Sequence, residues 1–146
     1  MGILIAIIIY NLVHRLFVVN PTKREQLAAE NHCRNVLINL IDQMPHSNYN
    51  FDIIGSKVLS EVWGRGIQVF EFKLAADDEK VSDKLTFIKE HLVSELASRN
   101  RKQAHNDAEI QITDLWQYDQ FIHVEVAYLT NQSTREYIND INRLTE

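Results

Sequence analysis

Hydrophobic residues follow three different spacings along the chain, and the first is a nearly unbroken run over residues 2–19, GILIAIIIYNLVHRLFVV. Strongly polar side chains occur in it only at Asn11, His14 and Arg15, whose spacing places them on one face of a helix. A helix over this whole run would reach about 27 Å at 1.5 Å per residue, slightly less than the roughly 30 Å hydrocarbon core of a bilayer. The pattern predicts an apolar N-terminal segment, residues 1–19, followed by an α+β domain, residues 20–146.

Two membrane arrangements and one soluble arrangement fit this segment. It enters the bilayer with His14 and Arg15 at the lipid edge, or it lies in the interface or against a partner's membrane helix. In the soluble arrangement its β-branched residues form a buried strand or helix of the domain core. We favour the membrane arrangements, in which the apolar side chains meet lipid or a partner. Those side chains are Ile3, Ile5, Ile7, Ile8, Ile9, Leu12 and Val13.

Helical spacing of apolar residues begins after the N-terminal segment. Asn20 followed by Pro21 is typical of a helix start, and apolar residues three and four apart predict a helix that ends near Met44. A second helix is predicted to begin near Asp77 and to end in the basic stretch that includes Lys102. The stripe of the first of these helices consists of Leu27, Cys33, Val36, Leu37, Leu40, Ile41 and Met44.

Alternation of apolar and polar residues predicts two β-hairpins. The first pairs KVLSEVW, residues 57–63, with IQVFEFKL, residues 67–74, around a GRG turn whose glycines can adopt positive φ. The second pairs EIQITDLW, residues 109–116, with FIHVEVAYL, residues 121–129, around QYDQ. A last helix follows, because Ser133 and Glu136 have the spacing of a capping box.

These elements together predict an α+β two-layer sandwich with the order α-β-β-α-β-β-α, preceded by the apolar N-terminal helix. The four-stranded sheet is mostly antiparallel, and both long helices pack on one face of it, while the last helix covers an edge or reaches a partner. The two strands that close the hairpins are expected to alternate between an apolar face and a polar face. The apolar face carries Phe70, Phe72, Leu74, Ile122, Val124, Val126 and Tyr128, and the polar face carries Glu71, Lys73, His123 and Glu125.

Charge and cysteine content narrow the function classes. The chain has 146 residues and a formal net charge of −5, which argues against a nucleic-acid partner because such proteins usually present a basic surface. The single cysteine, Cys33, excludes an internal disulfide and suits a reducing compartment. Arg15, Lys23 and Arg24 follow the apolar run, and the positive-inside tendency then places the folded part in the cytoplasm.

The sequence offers no grouping of residues that is typical of catalysis, cofactor binding or a metal site. Cys33 lies on the predicted inner stripe of a helix, which favours a core residue over a nucleophile. His123 and Glu125 share a strand face and could supply two metal ligands, but no third ligand follows at a recognisable spacing. We therefore predict no catalytic, cofactor or metal residues, and consider a non-enzymatic role more consistent with the sequence.

The hairpin tips are the exposed positions best suited to protein contacts. Trp63 and Arg65 lie at the first tip, and Trp116 and Tyr118 at the second; tryptophan, tyrosine and arginine are the residue types that anchor interfaces. LSEVW and ITDLW also share a pattern, which raises the possibility that one α-β-β unit occurs twice.

The stretch GRGIQVFEFKLAADDEKVSDKLTFIKEHL, together with the preceding apolar segment and helix, resembles the membrane-proximal region of DNA-transfer proteins of the FtsK/SpoIIIE type from Gram-positive conjugative elements. The resemblance covers a minority of the chain, and the ATPase domain with its phosphate-binding loop is missing. It implies an accessory part of a membrane-bound transfer machine and assigns no role to individual residues.

Two functional hypotheses remain. In the first, the chain is a non-enzymatic, membrane-tethered cytoplasmic module that self-associates or assembles with protein partners, for example in a secretion or DNA-transfer complex. In the second, it is a soluble α+β domain that binds a small molecule or acts as an enzyme, and the N-terminal segment belongs to its core.

Overall fold

The computed structural model describes residues 2–15, 20–44, 51–59, 66–76, 85–102 and 108–145. Within these ranges the helices are α1 (Gly2–His14), α2 (Asn20–Asp42), α3 (Leu85–Lys102) and α4 (Gln132–Thr145). The strands are β1 (Phe51–Val58), β2 (Val69–Ala76), β3 (Ile110–Tyr118) and β4 (Phe121–Tyr128). All strand pairs are antiparallel, and the open sheet has the order β1-β2-β4-β3. The predicted α+β class and element order are confirmed.

The main core lies between one face of the sheet and the helices α2 and α3. Phe70, Phe72 and Val124 are completely buried at its centre, as the alternation of β2 and β4 predicts. α2 and α3 each contribute residues at helical spacing to the same cluster. The buried helical residues are Ala29, Cys33, Val36, Leu37, Leu40, Ile88, Leu92 and Leu96.

A smaller core on the opposite face fixes the last helix. Val69 and Ala127 are directly opposite each other in neighbouring strands and project to the other side from Phe70 and Val126. Ile138 of α4 packs on them. α4 therefore covers one end of the second sheet face, where the sequence had predicted that it covers an edge or reaches a partner.

The predicted first strand was misplaced. β1 covers residues 51–58, whereas the predicted strand KVLSEVW covers residues 57–63, so the run FDIIG forms most of the strand. The prediction failed because the apolar alternation of VLSEV looked more regular than that of FDIIG, whose alternation is interrupted by a β-bulge between Ile53 and Gly55. Trp63 consequently does not end β1, and residues 60–65 lie outside the described ranges. The repeat stays a prediction, because ITDLW lies inside β3 while all but the first residue of LSEVW lie outside the described ranges.

Three local predictions also need correction. Leu27 is 58% exposed, because α2 meets the core only from Ala29 onward. β3 continues past Trp116 to Tyr118, so the second hairpin turns at Asp119 and Gln120, with Asp119 in the left-handed region at φ 55°.

The cap of α4 is also different from the predicted one. The Asn131 side-chain oxygen accepts hydrogen bonds from the Thr134 backbone N–H and hydroxyl at 2.9 Å each. Asn131, and not Ser133, is therefore the capping residue of this helix.

Candidate interaction surfaces

The first candidate surface is α1, whose side chains from Ile3 to Val13 are all exposed. The exposed fraction of its large hydrophobic side chains ranges from 46% at Val13 to 80% at Ile3, and every residue expected in lipid is among them. No residue of α1 belongs to either core cluster of the described chain. Exposed apolar side chains in such a number, side by side on one helix, are unusual for a soluble monomer.

The described side chains near the start of α2 are exposed as well. Thr22, Lys23, Arg24 and Glu25 are all exposed, and from Thr22 onward the first buried residue of this helix is Ala29. Lys23 and Arg24 thus lie along the chain between α1 and the part of α2 that packs on the sheet. Such an arrangement suits a helix whose apolar part leaves water while its basic flank stays hydrated. Among the described helices, none combines the length and the apolar composition that crossing a bilayer requires.

The second candidate surface is the part of the outer sheet face that α4 leaves open, which we call the aromatic face. It consists of Trp116, Tyr118, Phe121, His123, Glu71 and Lys73. The strand register brings these residues together, because Lys73 and Trp116 are the cross-strand neighbours of His123 in β2 and β3 respectively. The polar faces of β2 and β4, predicted separately, are therefore one surface.

Aromatic stacking organises this face around His123. The Trp116 ring lies nearly parallel to the His123 imidazole, with centroids 5.3 Å apart and planes inclined by 13°. Tyr118 approaches the same imidazole edge-on at 6.5 Å, and the Lys73 ammonium lies 3.7 Å from the centroid of the Phe121 ring. Stacked rings and a cation over an aromatic ring therefore stabilise the sheet surface that the sequence predicted as the polar face.

The same histidine, His123, also contacts a carboxylate. The His123 Nδ1 and a Glu71 carboxylate oxygen are 2.7 Å apart, and both side chains are largely shielded from solvent. The carboxylate thus fixes which ring nitrogen, Nδ1, faces Glu71, and directs Nε2 away from it. In the described chain this Nε2 is buried and has no hydrogen-bond partner.

Glu125 is a second carboxylate on the outer sheet face. The Glu125 carboxylate accepts a hydrogen bond of 2.6 Å from the Thr113 hydroxyl. Burial raises the pKa of Glu125, the bond from Thr113 opposes this rise, and the nearby Asp114 and Glu71 carboxylates add to it. Two acidic side chains therefore lie close together on a half-buried surface.

The chemistry that this arrangement supports is limited by how His123 is enclosed. Its Nδ1 is engaged by Glu71 and its ring face by Trp116, so the pair fixes the orientation of the ring. The described residues contain no group of three or more potential metal-ligating side chains. The burial of Cys33 raises the pKa of its thiol to about 12, which keeps it protonated and agrees with its predicted role as a core residue.

Two of the four predicted interface residues, Trp116 and Tyr118, lie on the aromatic face. Trp116 is half-buried in the aromatic face, and Tyr118, 67% exposed, lies at its rim near the β3–β4 turn. Trp63 and Arg65 lie outside the described residues. Sequence reasoning missed the contact between Glu71 and His123, since it connects strands that are distant in sequence and adjacent only in the sheet.

A cleft of about 580 Å³ opens at one end of the domain, where α2 meets the segments before β2 and after β4. The His32 and Tyr128 rings face each other across 5.3 Å on its wall, and Glu25 and Gln68 also line it. Its size is in the range of small-molecule sites, but the polar groups on its wall do not converge on one point that would identify a ligand class.

The chain matches no protein-family profile, no curated protein and no solved structure.

Proposed function

We propose that this protein is a non-enzymatic interaction module that α1 tethers to a membrane, with its α+β domain on the cytoplasmic side. One observation carries the proposal, namely the exposure of every large hydrophobic side chain of α1 from Ile3 to Val13. The absence of α1 from both described core clusters supports it further, because the segment then adds nothing to the interior of its own domain.

The energetics favour insertion of α1 into lipid. Moving a large aliphatic side chain fully from water into an apolar environment stabilises it by about 1.5–3 kcal/mol, so a few of these residues suffice for stable association. The 13 residues of α1 span about 20 Å, less than the roughly 30 Å hydrocarbon core. α1 is therefore proposed as a tether that enters one side of the bilayer, with His14 and Arg15 at its boundary.

The charge distribution supports the cytoplasmic orientation. Arg15 directly follows α1, and the exposed Lys23 and Arg24 lie on the first turns of α2. Basic residues that flank a membrane segment are retained on the cytoplasmic side, where they also meet anionic headgroups. The tether then keeps the domain at a high local concentration, at which weak contacts between domains are sufficient for assembly.

Membrane fractionation of the full chain tests the proposal. We expect wild-type protein to sediment with membranes and to resist a high-salt wash. The variant Ile5→Lys/Ile8→Lys/Leu12→Lys places three cations along one face of α1, each costing about 3 kcal/mol in the apolar phase. This variant is expected in the soluble fraction with unchanged circular dichroism, because all three positions are exposed.

A matched control separates the position of the charges from their number. The variant Asn35→Lys/Thr86→Lys/Asn139→Lys adds the same three cations at exposed positions of the domain and should still sediment with membranes. Recovery of the wild-type chain as a soluble monomer without detergent would refute the tether. It would favour the alternative of a soluble ligand-binding or enzymatic domain.

A further inference from the structure

Side chains already bond several outward backbone groups of one edge strand of the sheet, β3. β1 and β3 are the edge strands. On β3, the Asn100 side chain bonds both outward backbone groups of Ile110: its Nδ2 donates to the carbonyl at 2.8 Å, and its Oδ1 accepts from the N–H at 3.4 Å. The Asp114 carboxylate accepts from the Leu115 N–H at 2.7 Å, beside a bulge. These features protect the β3 edge against further strand pairing.

The β1 edge is exposed and held rigidly in place. Asp52, Ile54 and Lys57 are all exposed to solvent. Between them, the Ser56 hydroxyl donates to the Glu30 carboxylate and accepts a bond of 2.5 Å from Arg34, which fixes the strand to α2. A preorganised edge loses little conformational freedom when it pairs with another strand.

We propose that β1 pairs antiparallel with β1 of a second copy of this chain, so that the two sheets join into one. The proposed register places Phe51 opposite Val58 of the second copy, Asp52 opposite Lys57, and Ile53 opposite Ser56. It uses the whole length of the strand and is symmetric, as an isologous dimer interface requires.

The backbone directions satisfy this register. The Leu59 N–H donates to the Val69 carbonyl, so Val69 directs its backbone groups toward β1. The Tyr128 N–H donates to the Gln68 carbonyl, so Gln68 directs its carbonyl toward β4. Because these directions alternate along a strand, the odd-numbered residues of β2 direct their backbone groups toward β1 and the even-numbered residues direct theirs toward β4. The residues of β1 opposite the even-numbered β2 residues therefore direct theirs toward the open edge. They are Phe51, Ile53, Ser56 and Val58, and the proposed register pairs them with one another.

The β-bulge in β1 places the side chains of Asp52 and Lys57 on the same face, as the proposed register requires. In a regular strand, residues five positions apart project to opposite faces. The extra residue between Ile53 and Gly55 changes this relation. Asp52 is opposite Ala75 and Lys57 is opposite Glu71. Ala75 and Glu71 lie on the same face of β2, so the side chains of Asp52 and Lys57 share a face as well. Asp52 thus meets Lys57 of the second copy twice across the symmetry axis, as complementary charges.

The centre of the register is complementary in shape. Ile54, 52% exposed, falls opposite Gly55 of the second copy. No atom lies within 4 Å of the position that a Cβ of Gly55 would occupy, so the partner's isoleucine has space beside it. The strand pairing itself needs no membrane, but it rests on the proposed function for the local concentration that makes a short edge contact effective.

Register-specific disulfide formation tests the pairing in the full chain. Differently tagged Asp52→Cys and Lys57→Cys chains are co-expressed and their membranes oxidised. Residues facing each other in a non-hydrogen-bonded pair have Cα atoms about 4.5 Å apart, within the range of a disulfide. We expect a mixed disulfide between the two chains. Asp52→Cys alone should give none, because in this register position 52 of one chain lies about 17 Å from position 52 of the other. The native Cys33 is buried and does not interfere.

Charge reversal gives a second readout in detergent-solubilised protein. Asp52→Lys and Lys57→Asp should each raise the dissociation constant about tenfold, since both facing pairs become repulsive. A mixture of the two single variants, or the double variant, should restore dimerisation. The control reversals Asp140→Lys on α4 and Lys89→Asp on α3 should have no effect.

The outcomes separate the two proposals. Cross-linked chains in the soluble fraction would support the strand pairing and refute the tether. Membrane-bound chains that give no mixed disulfide, or an equal yield from Asp52→Cys alone, would refute the strand pairing and leave the tether intact. Charge variants that fail to rescue each other would also refute it.

Discussion

The contrast between two isoleucines tests the central structural claim about α1. Ile8 in α1 is 61% exposed, whereas Ile88 in α3 is 3% exposed and lies in the main core. Both occupy helices, and truncation to alanine removes the same atoms from each. The substitutions Ile8→Ala and Ile88→Ala therefore differ mainly in the environment of the side chain.

The expected changes in unfolding free energy differ by several kcal/mol. Ile88→Ala loses the transfer free energy of a buried side chain and leaves a cavity, a cost of about 2–5 kcal/mol. This is a large fraction of the roughly 5–15 kcal/mol that stabilises a typical domain. Ile8→Ala removes little buried surface, and alanine's higher helix propensity offsets part of that loss. Its unfolding free energy should stay within about 0.5 kcal/mol of the wild type.

Urea unfolding followed by circular dichroism, in a mild detergent that covers α1, measures both values. The slope of free energy against urea should be the same for all three proteins, since the surface exposed by unfolding changes little. A cost above about 2 kcal/mol for Ile8→Ala would show that α1 is packed in the domain core. That result would refute both the exposure described here and the tether that depends on it.

Three further predictions concern the domain itself. The folded pKa of Glu125 is raised, so its contribution to stability is present below the unfolded pKa and is lost as pH rises through the folded pKa. In urea titrations Glu125→Gln should therefore gain stability relative to wild type as pH rises above the ordinary pKa of 4.5, and an unchanged difference would contradict the burial argument. Asn131→Ala removes the cap that bonds Thr134 and the donor that bonds the Gly66 carbonyl, and it should cost about 1–2 kcal/mol in the same assay. Asn131→Ser loses the bond to Gly66 but can still cap, so it should cost less, and equal losses would argue against capping. The Cys33 thiol has a pKa of about 12, so at pH 8 it should react with a thiol reagent only as fast as the chain unfolds. Labelling that is rapid in native buffer and insensitive to urea would contradict the burial of Cys33.

Local patterns in the sequence were sufficient to predict the fold class. Alternation in β2 and β4 correctly assigned Phe70 and Val124 to one sheet face and His123 to the other, because the two-residue period of a strand is a local property. Helical spacing likewise assigned Cys33 and Leu40 to the core side of α2. The tether and the cytoplasmic location are proposals that rest on the composition and exposure of the N-terminal segment, and the pairing of two copies is a proposal that rests on the β1 edge.

Tertiary structure decided what depends on strand order and register. The contact between Glu71 and His123 exists because β2 and β4 are neighbours, and the stacking of Trp116 on that histidine requires the bulge that shifts β3 by one residue. The same holds for β1, where a bulge places Asp52 and Lys57 on one face. Short-range patterns determine which residues turn inward. Which side chains meet across a sheet depends on long-range pairing, whose free energy is shared among many residues and leaves no local signature in the sequence.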